Sequence, residues 1–449
     1  MRKEITSKSF FLNAVASVAR LRADRTGSIG IIFALSAVPL IAAAGAAVNF
    51  TAYNLKRSEL QAAADSASLA AVGISSSAMK AATTGVDDPK DPGDQGNVHT
   101  GAASAKARFL MLAKNTGLDV SGVTVTINKT GQTLSARIDY QAVAPTQFGS
   151  LFGLPSANLR GSATAANALA PFIDFYMLLD NTPSMGVAAT SDGVNRMVAN
   201  TTDQCAFACH ITGSNNDYYA LAKSLGVKMR IDVVQQATQS LMDTAARTAA
   251  SPQQYRFGLY TFGADAQTRK FTQLLAPTSD LAQVKQAAGK VDLMTIPYQG
   301  YDNDQMTDFN AILPQANAVI PAPGDGSSPA QPQKILFFVT DGMGDSQNPR
   351  ACLENTLSGG RCQEEINVAR CNEIKARGVK IALLYTTYLP LPTNPWYVST
   401  VQPWASKIAP AAQACASPGL YFEVSPSQGI AEAMSALFMK TVQLAKLRQ

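Results

Sequence analysis

Thirty consecutive residues, Thr26 to Leu55, carry no charge. This run constrains the chain more than any other feature. Its apolar centre, Ile29 to Val48, has the roughly 20 residues a helix needs to cross a bilayer. Pro39 lies inside it, where a spanning helix tolerates proline. The flanks set a direction: residues 1–25 hold Arg2, Lys3, Lys8, Arg20, Arg22 and Arg25 against Glu4 and Asp24, a net +4 of the chain's +5. By the positive-inside rule, residues 1–26 form a cytoplasmic basic segment, residues 27–50 a transmembrane helix, and the remainder lies on the far side. A cleaved signal ending at Ala44-Gly45-Ala46 is the rival reading. The long charged region before the run, and the helix that continues after it, favour an anchor. The body past residue 25 is nearly neutral, so it offers no phosphate-tracking surface and nucleic acid is excluded as a partner.

All six cysteines fall beyond the span, in a compartment where they can pair. Six cysteines permit 15 pairings. Proximity prefers Cys205 with Cys209 and Cys352 with Cys362, leaving Cys371 with Cys415. The run Cys205-Ala206-Phe207-Ala208-Cys209-His210 is one residue longer than a haem-attachment signature, and the chain has only two histidines, His99 and His210. Zinc would need more ligands than this run supplies. A disulfide is favoured over both.

Tyr53 to Val72 reads as an Ala-rich helix with Leu55, Leu60, Ala63, Ala67 and Ala71 on one face. Residues 85–97 are a loop dense in Gly, Pro and Asp. Asp87, Asp88, Asp91 and Asp94 lack the spacing and closing glutamate of a calcium loop, so a solvated connection is favoured. A helix from Gly101 to Lys114, a hairpin turning at Asn128-Lys129-Thr130-Gly131 and a strand from Arg160 to Ala168 complete a small α+β stalk, residues 51–170. From Phe172 strands and helices alternate. Strands are expected at Phe172–Asp180, Tyr255–Phe262, Lys334–Asp341, Val379–Tyr385 and Leu420–Val424, with helices at Lys228–Ala246, Leu281–Lys290, Asp308–Val319, Ile366–Arg377 and Gly429–Lys446. The pattern predicts an α/β domain over residues 171–449, a mainly parallel sheet with helices on both faces, interrupted by an insertion at 186–227.

Three separated pieces of that domain carry the chemistry. Asp180-Asn181-Thr182-Pro183-Ser184 ends the first strand, Thr307 opens a helix, and Thr340-Asp341-Gly342 ends another strand. Hard divalent cations take oxygen ligands of these kinds, and parallel strands bring their carboxyl ends together. The pieces resemble the metal-ion-dependent adhesion site of von Willebrand factor A domains. That resemblance implies a doubly wound fold, with Thr182, Ser184 and Thr307 as hydroxyl ligands. Asp180 and Asp341 become carboxylates holding Mg²⁺ (or Mn²⁺ or Ca²⁺) directly or through water. The alternative is an A domain whose site is structural and holds no ion. Both carboxylates are expected to face solvent at their strand ends.

Gly30-Ile31-Ile32-Phe33-Ala34-Leu35 and the stretch from Arg57 to Ala67 resemble the N-terminal segment of TadG-like proteins of the Flp (Tad) pilus assembly system. Where pilin precursors carry glutamate five residues after the cleavage glycine, counting from Gly27, this chain has Ile32. The resemblance implies a single-pass protein of the bacterial inner membrane with its C-terminal domain periplasmic or surface-facing. Its A domain would bind a protein partner, a pilus or envelope component; a structural pseudopilin-like subunit or cap is the alternative. Neither histidine sits in a hydrolase or metalloprotease context, and no phosphate-cradling loop is present, so no enzyme and no small-molecule substrate are expected. Trp396 and Trp404 flank a Pro-rich stretch (Pro390, Pro392, Pro395, Pro403) that reads as an aromatic–proline packing cluster ahead of an exposed binding loop.

Overall fold

The computed structural model describes residues 28–84, 98–268, 270–301, 306–349, 351–387, 394–425 and 429–446. The basic segment, the Asp-rich loop with Asp87 to Asp94, and Pro390 and Pro392 lie outside the described residues. The chain divides into two compact units, one drawn from residues up to 166 and the other mainly residues 167–449.

The first unit is organised on one unbroken helix, α1 (Ser28–Ala71), with Pro39 inside it. The sequence suggests a span followed by a second helix; the two are continuous, about 66 Å at 1.5 Å per residue. Ile29, Ile31, Phe33, Leu35 and Leu40 are between 64% and 74% exposed. Water does not stabilise such a surface, and among the described residues this is the one helix long and apolar enough to cross a membrane. Further along, Leu60, Ala63, Ala64 and Ala67 are buried together with Phe109 and Ala113 of α2 (Ala102–Lys114). They cover a three-stranded sheet in the order β1 (Asp119–Thr130), β2 (Thr133–Pro145), β3 (Ser156–Ala168). Ile138, Tyr140 and Ala142 alternate inward along β2, and the Tyr140 ring lies 5.3 Å from Phe109. Alanine on α1 lets these layers approach closely. The connection after β2 returns to α1 at Asn49, whose Oδ1 accepts the N–H groups of Gln147 at 3.0 Å and Phe148 at 3.3 Å. Folded protein therefore meets the helix at that level, and the stretch of α1 before Gly45 is about 25 Å long.

The second unit holds a six-stranded sheet. Its strands are β4 (Ile173–Leu179), β5 (Tyr255–Thr261), β6 (Thr272–Thr278), β7 (Gln333–Thr340), β10 (Lys380–Thr386) and β11 (Tyr421–Val424), arranged β11-β10-β7-β4-β5-β6. All pairs are parallel except β5 with the edge strand β6. The chain builds outward from β4 on one side, then returns to β7 and builds outward on the other. The order thus reverses between β4 and β7, where doubly wound sheets hold ligands. Alternation sorts the two faces. Phe175, Met177, Phe337 and Val339 pack under α3 (Arg230–Thr248), α4 (Leu281–Ala288) and α8 (Ile430–Lys446). Tyr176, Leu178, Leu336 and Phe338 pack under α5 (Phe309–Val319), α6 (Val368–Ala376) and α7 (Ile408–Cys415). The expected mainly parallel sheet wrapped on both faces is the observed one.

Among the elements outside the sequence expectation are β6, α7, and a two-stranded hairpin of β8 (Met343–Gln347) and β9 (Arg361–Glu365) that begins two residues after Asp341. The 186–227 stretch is folded rather than loose. Ala188, Met197, Ala208, Tyr219 and Ala222 enter the core, and Asp217 caps the helix at Tyr218–Ser224 while also accepting from Ile211 N and bonding His210 Nδ1 at 3.0 Å. Disulfides join Cys352 to Cys362 and Cys371 to Cys415. The expected Cys205–Cys209 bridge is not among these two; Phe207 N donates to Cys205 Sγ at 3.4 Å.

Candidate functional site

The register of β4 against β7, Leu179 opposite Val339, brings the two strand ends level. Asp180 N donates to Val339 O at 2.9 Å, so the residues that follow each strand meet. Thr182, Ser184, Thr307, Asp180 and Asp341 then converge. Thr307 Oγ1 donates to Thr182 Oγ1 at 2.7 Å, Thr182 Oγ1 reaches Asp180 Oδ1 at 2.7 Å and lies 3.4 Å from Ser184 Oγ, and Ser184 hydrogen-bonds Asp341. Five oxygen-bearing side chains from three distant pieces of sequence therefore form one connected cluster.

Local structure fixes each piece. Asn181 locks the first loop: its Nδ2 donates to Gly263 O at 2.8 Å and Asp292 O at 3.1 Å, and its Oδ1 accepts from Phe262 N. Pro183 starts a single 3₁₀ turn that presents Ser184. Thr307 exchanges both backbone hydrogen bonds with Asp345 of β8, at 2.7 and 2.9 Å, so the hairpin clamps it. Gly342 follows the second carboxylate at φ +73°, and a Cβ there would lie 2.8 Å from Ile408 Cγ2. Only glycine takes both that conformation and that space without strain.

Burial departs from the sequence expectation. Asp180 and Asp341 are 0% exposed, not facing solvent, because the loops close over the strand ends. Burial first, then the neighbouring Asp341 charge, pushes the Asp180 carboxyl up to about 7, against hydrogen bonds from Thr340 and Thr182 that favour its ionised form. Thr340 Oγ1 donates to Asp180 Oδ2 at 2.6 Å. Asp341 is likewise raised by burial, opposed chiefly by Arg230. That arginine is the participant sequence reasoning missed. It is 1% exposed, and its Nη1 donates to Asp341 Oδ2 at 3.0 Å and approaches Ser184 O at 3.5 Å. A signal was available: Arg230 opens α3, and a cation in the first turn opposes the helix dipole. The Asp341 carboxylate is what offsets that placement.

The donor set is all oxygen, two carboxylates and three hydroxyls, which fits a hard divalent cation. Ser184 and Thr307 also line a cavity of about 290 Å³ that opens beside the cluster. Arg230 supplies one positive charge from within, so an arriving ion would meet a site of lower net negative charge than the two carboxylates alone provide.

Residues 27–79 match a family described as putative Flp pilus-assembly TadE/G-like. Among curated proteins none matches the sequence. Several solved structures are similar at low identity. The vWF domain of a type V pili tip protein from Porphyromonas gingivalis is 11% identical, covers 63% of this chain and 98% of its own, with a TM-score of 0.38. A pilus adhesin from Lactobacillus rhamnosus GG is 11% identical over 72% of this chain and 34% of its own, with a TM-score of 0.35. A proximal thread matrix protein from the mussel byssus, with a zinc-occupied MIDAS motif, is 17% identical over 62% and 46%, with a TM-score of 0.32. Residues 27–79 are thus TadE/G-like in sequence, and the second unit has the doubly wound, mainly parallel sheet of a von Willebrand factor A-like fold.

Proposed function

We propose that this chain is a membrane-anchored, extracytoplasmic protein of Flp/Tad pilus assembly whose A domain binds a protein partner through a divalent cation, Mg²⁺ with Mn²⁺ or Ca²⁺ as substitutes. The observation that carries the reading is the convergence of Asp180, Thr182, Ser184, Thr307 and Asp341, pieces up to 161 positions apart, into one cluster with a 2.7 Å hydroxyl–hydroxyl contact at its centre. Held there, the ion would leave a coordination position to a partner's carboxylate. The chain's own residues do the rest. Asp180 and Asp341 supply charge, Ser184 and Thr307 present hydroxyls toward the open side, and Asn181 and the β8–β9 hairpin hold the loops in place.

The test is capture of partners from solubilised membranes by the full chain, with Mg²⁺ and with EDTA. Partners retained only with Mg²⁺, and lost in Asp180→Asn, support the reading. Equal capture under all three conditions sinks it. One observation favours a second reading, a structural subunit with no metal-dependent binding: the buried Arg230–Asp341 ion pair already compensates one carboxylate without an ion. That reading predicts no calorimetric response of the full chain to millimolar Mg²⁺, Mn²⁺ or Ca²⁺.

A further inference from the structure

The cavity beside the oxygen cluster is built from elements that a plain doubly wound domain does not need. One wall is the β8–β9 hairpin, through Met343 and Arg361; another is the turn at 394–401, through Trp396 and Tyr397; Phe207 of the 186–227 insertion closes a third side. Its polar groups are already engaged with one another. The Arg361 guanidinium forks onto Asp345, Gln363 Nε2 donates to Asp345 Oδ2 at 2.9 Å, and Gln363 Oε1 accepts from Trp396 Nε1 at 3.2 Å. Arg361 also lies 4.8 Å over the Trp396 ring. Toward the cavity this leaves the apolar groups of Phe207, Met343, Trp396, Tyr397 and Val401 as the larger part of the surface, beside the hydroxyls of Ser184 and Thr307 and the amide of Asn394. At about 290 Å³ it exceeds the roughly 150 Å³ of a cavity that accepts benzene. Trp396, one of its lining residues, is 41% exposed and so offers its ring to an incoming side chain.

We infer that this cavity is the specificity pocket for the partner. It takes an aromatic side chain close in sequence to the acidic residue whose carboxylate completes the ion's shell. The inference rests on the metal-dependent reading above. Ser184 and Thr307 belong to both the cluster and the cavity lining, so a ligand carboxylate placed over those hydroxyls sets its own chain at the cavity mouth. In an extended segment, side chains two positions apart point to the same side. An aromatic residue two positions from the acid is therefore aimed inward. Among the described lining residues Arg361 is the cation, and it is forked onto Asp345 rather than held open for a second carboxylate; this makes the pocket favour apolar bulk over charge.

Three peptides test this on the full chain in detergent with millimolar Mg²⁺, read by titration calorimetry: acetyl-Phe-Gly-Asp-Gly-Phe-amide, the same peptide with Asn for Asp, and acetyl-Gly-Gly-Asp-Gly-Gly-amide. Burying one ring from water predicts that the aromatic acid peptide binds about tenfold more tightly than the glycine one. The Asn peptide and EDTA should each abolish binding. Trp396→Ala should collapse the preference to about onefold without changing the glycine peptide, and Trp396→Phe should restore most of it. Equal binding of the two Asp peptides overturns the pocket while leaving the ion site intact. Binding of the Asn peptide as tight as its Asp counterpart overturns the coupling between pocket and ion. Failure of every peptide overturns the pocket alone if Mn²⁺ still binds by electron paramagnetic resonance, and both readings if it does not.

Discussion

At the scale of single residues, the site sets two buried carboxylates against one guanidinium, with the proposed cation as a competitor for the same charge. Asp341 and Arg230 neutralise each other in a place where neither meets water. Removing one partner of such a buried pair typically costs about 3–5 kcal/mol, because the other charge is left uncompensated. Asp341→Ala should therefore lower the melting temperature as well as abolish ion binding. Asp180→Asn should abolish ion binding with stability of the ion-free protein held or raised, since it removes charge from a site that raises the Asp180 carboxyl by burial. Ser184→Ala should weaken the ion less, because water can take the place of a neutral ligand. Arg230→Gln should destabilise the ion-free protein yet bind Mn²⁺ more tightly. Calorimetric titration and thermal melts of these four variants check the set; an Arg230→Gln protein with weaker Mn²⁺ binding would overturn the role given to the guanidinium. The pH dependence has a definite sign. The folded Asp180 carboxyl, at about 7, titrates above its usual range near 3.8, so its contribution to stability is present in full below that range and is lost as pH rises through 7. Melts of the ion-free protein should shift downward between pH 5 and 8, and Mg²⁺ should reverse the shift at pH 8 but not at pH 5, where the proton holds the site.

At the scale of elements, the two disulfides act on different stretches. Cys371 at α6 and Cys415 at the end of α7 are both fully buried and enclose a separation of 44 residues, against 10 for Cys352–Cys362. Loop entropy assigns them roughly 4 and 3 kcal/mol. Cys371→Ser with Cys415→Ser should thus lower denaturant stability more than the hairpin pair. The hairpin pair should instead loosen the clamp on Thr307, seen as weaker Mn²⁺ binding at nearly unchanged melting temperature. Equal effects of both pairs on Mn²⁺ binding would count against that clamp. The same elements show what sequence makes legible. β4 and β7 are buried on both faces, so their inner parts appear as apolar runs, Phe175–Leu179 and Ile335–Val339, and Asp180 and Asp341 could be placed just beyond them from the sequence. The hairpin strand Met343-Gly344-Asp345-Ser346-Gln347 has no apolar period. It is held by Cys352–Cys362 and the Arg361–Asp345 fork, pairs 10 and 16 positions apart, which no local pattern displays. β6 carries Pro277 in a strand, which only an edge position allows. The burial of Asp180 and Asp341 was illegible for a related reason: it is a property of loops closing over strand ends, set by Asn181 and Gly342 contacts rather than by the ligand motif.

At the scale of the whole molecule, α1 decides where the chain works. An apolar half with large side chains more than 60% exposed and a half whose Leu60, Ala63 and Ala67 are buried in protein belong to one helix, with no break at Pro39. In its apolar half, Ser36 Oγ donates to the helix's own backbone at Ile32 O, 2.7 Å away. Such internal pairing is what lipid requires of hydroxyls. Direction is then a question of charge, and residues 1–25 hold +4 of the chain's +5. Moving that segment across the membrane would carry six basic side chains through hydrocarbon, whereas the nearly neutral body has no comparable bias to retain it. The body is therefore expected outside the cytoplasm, where Cys371–Cys415 can form. Alkaline phosphatase fused after Ala170 folds only in an oxidising compartment, so an active fusion is the expected outcome, and converting Arg20, Arg22 and Arg25 to Glu should reduce it. An inactive fusion expressed at normal level would reverse the orientation, and with it the compartment in which any partner of the A domain must be sought.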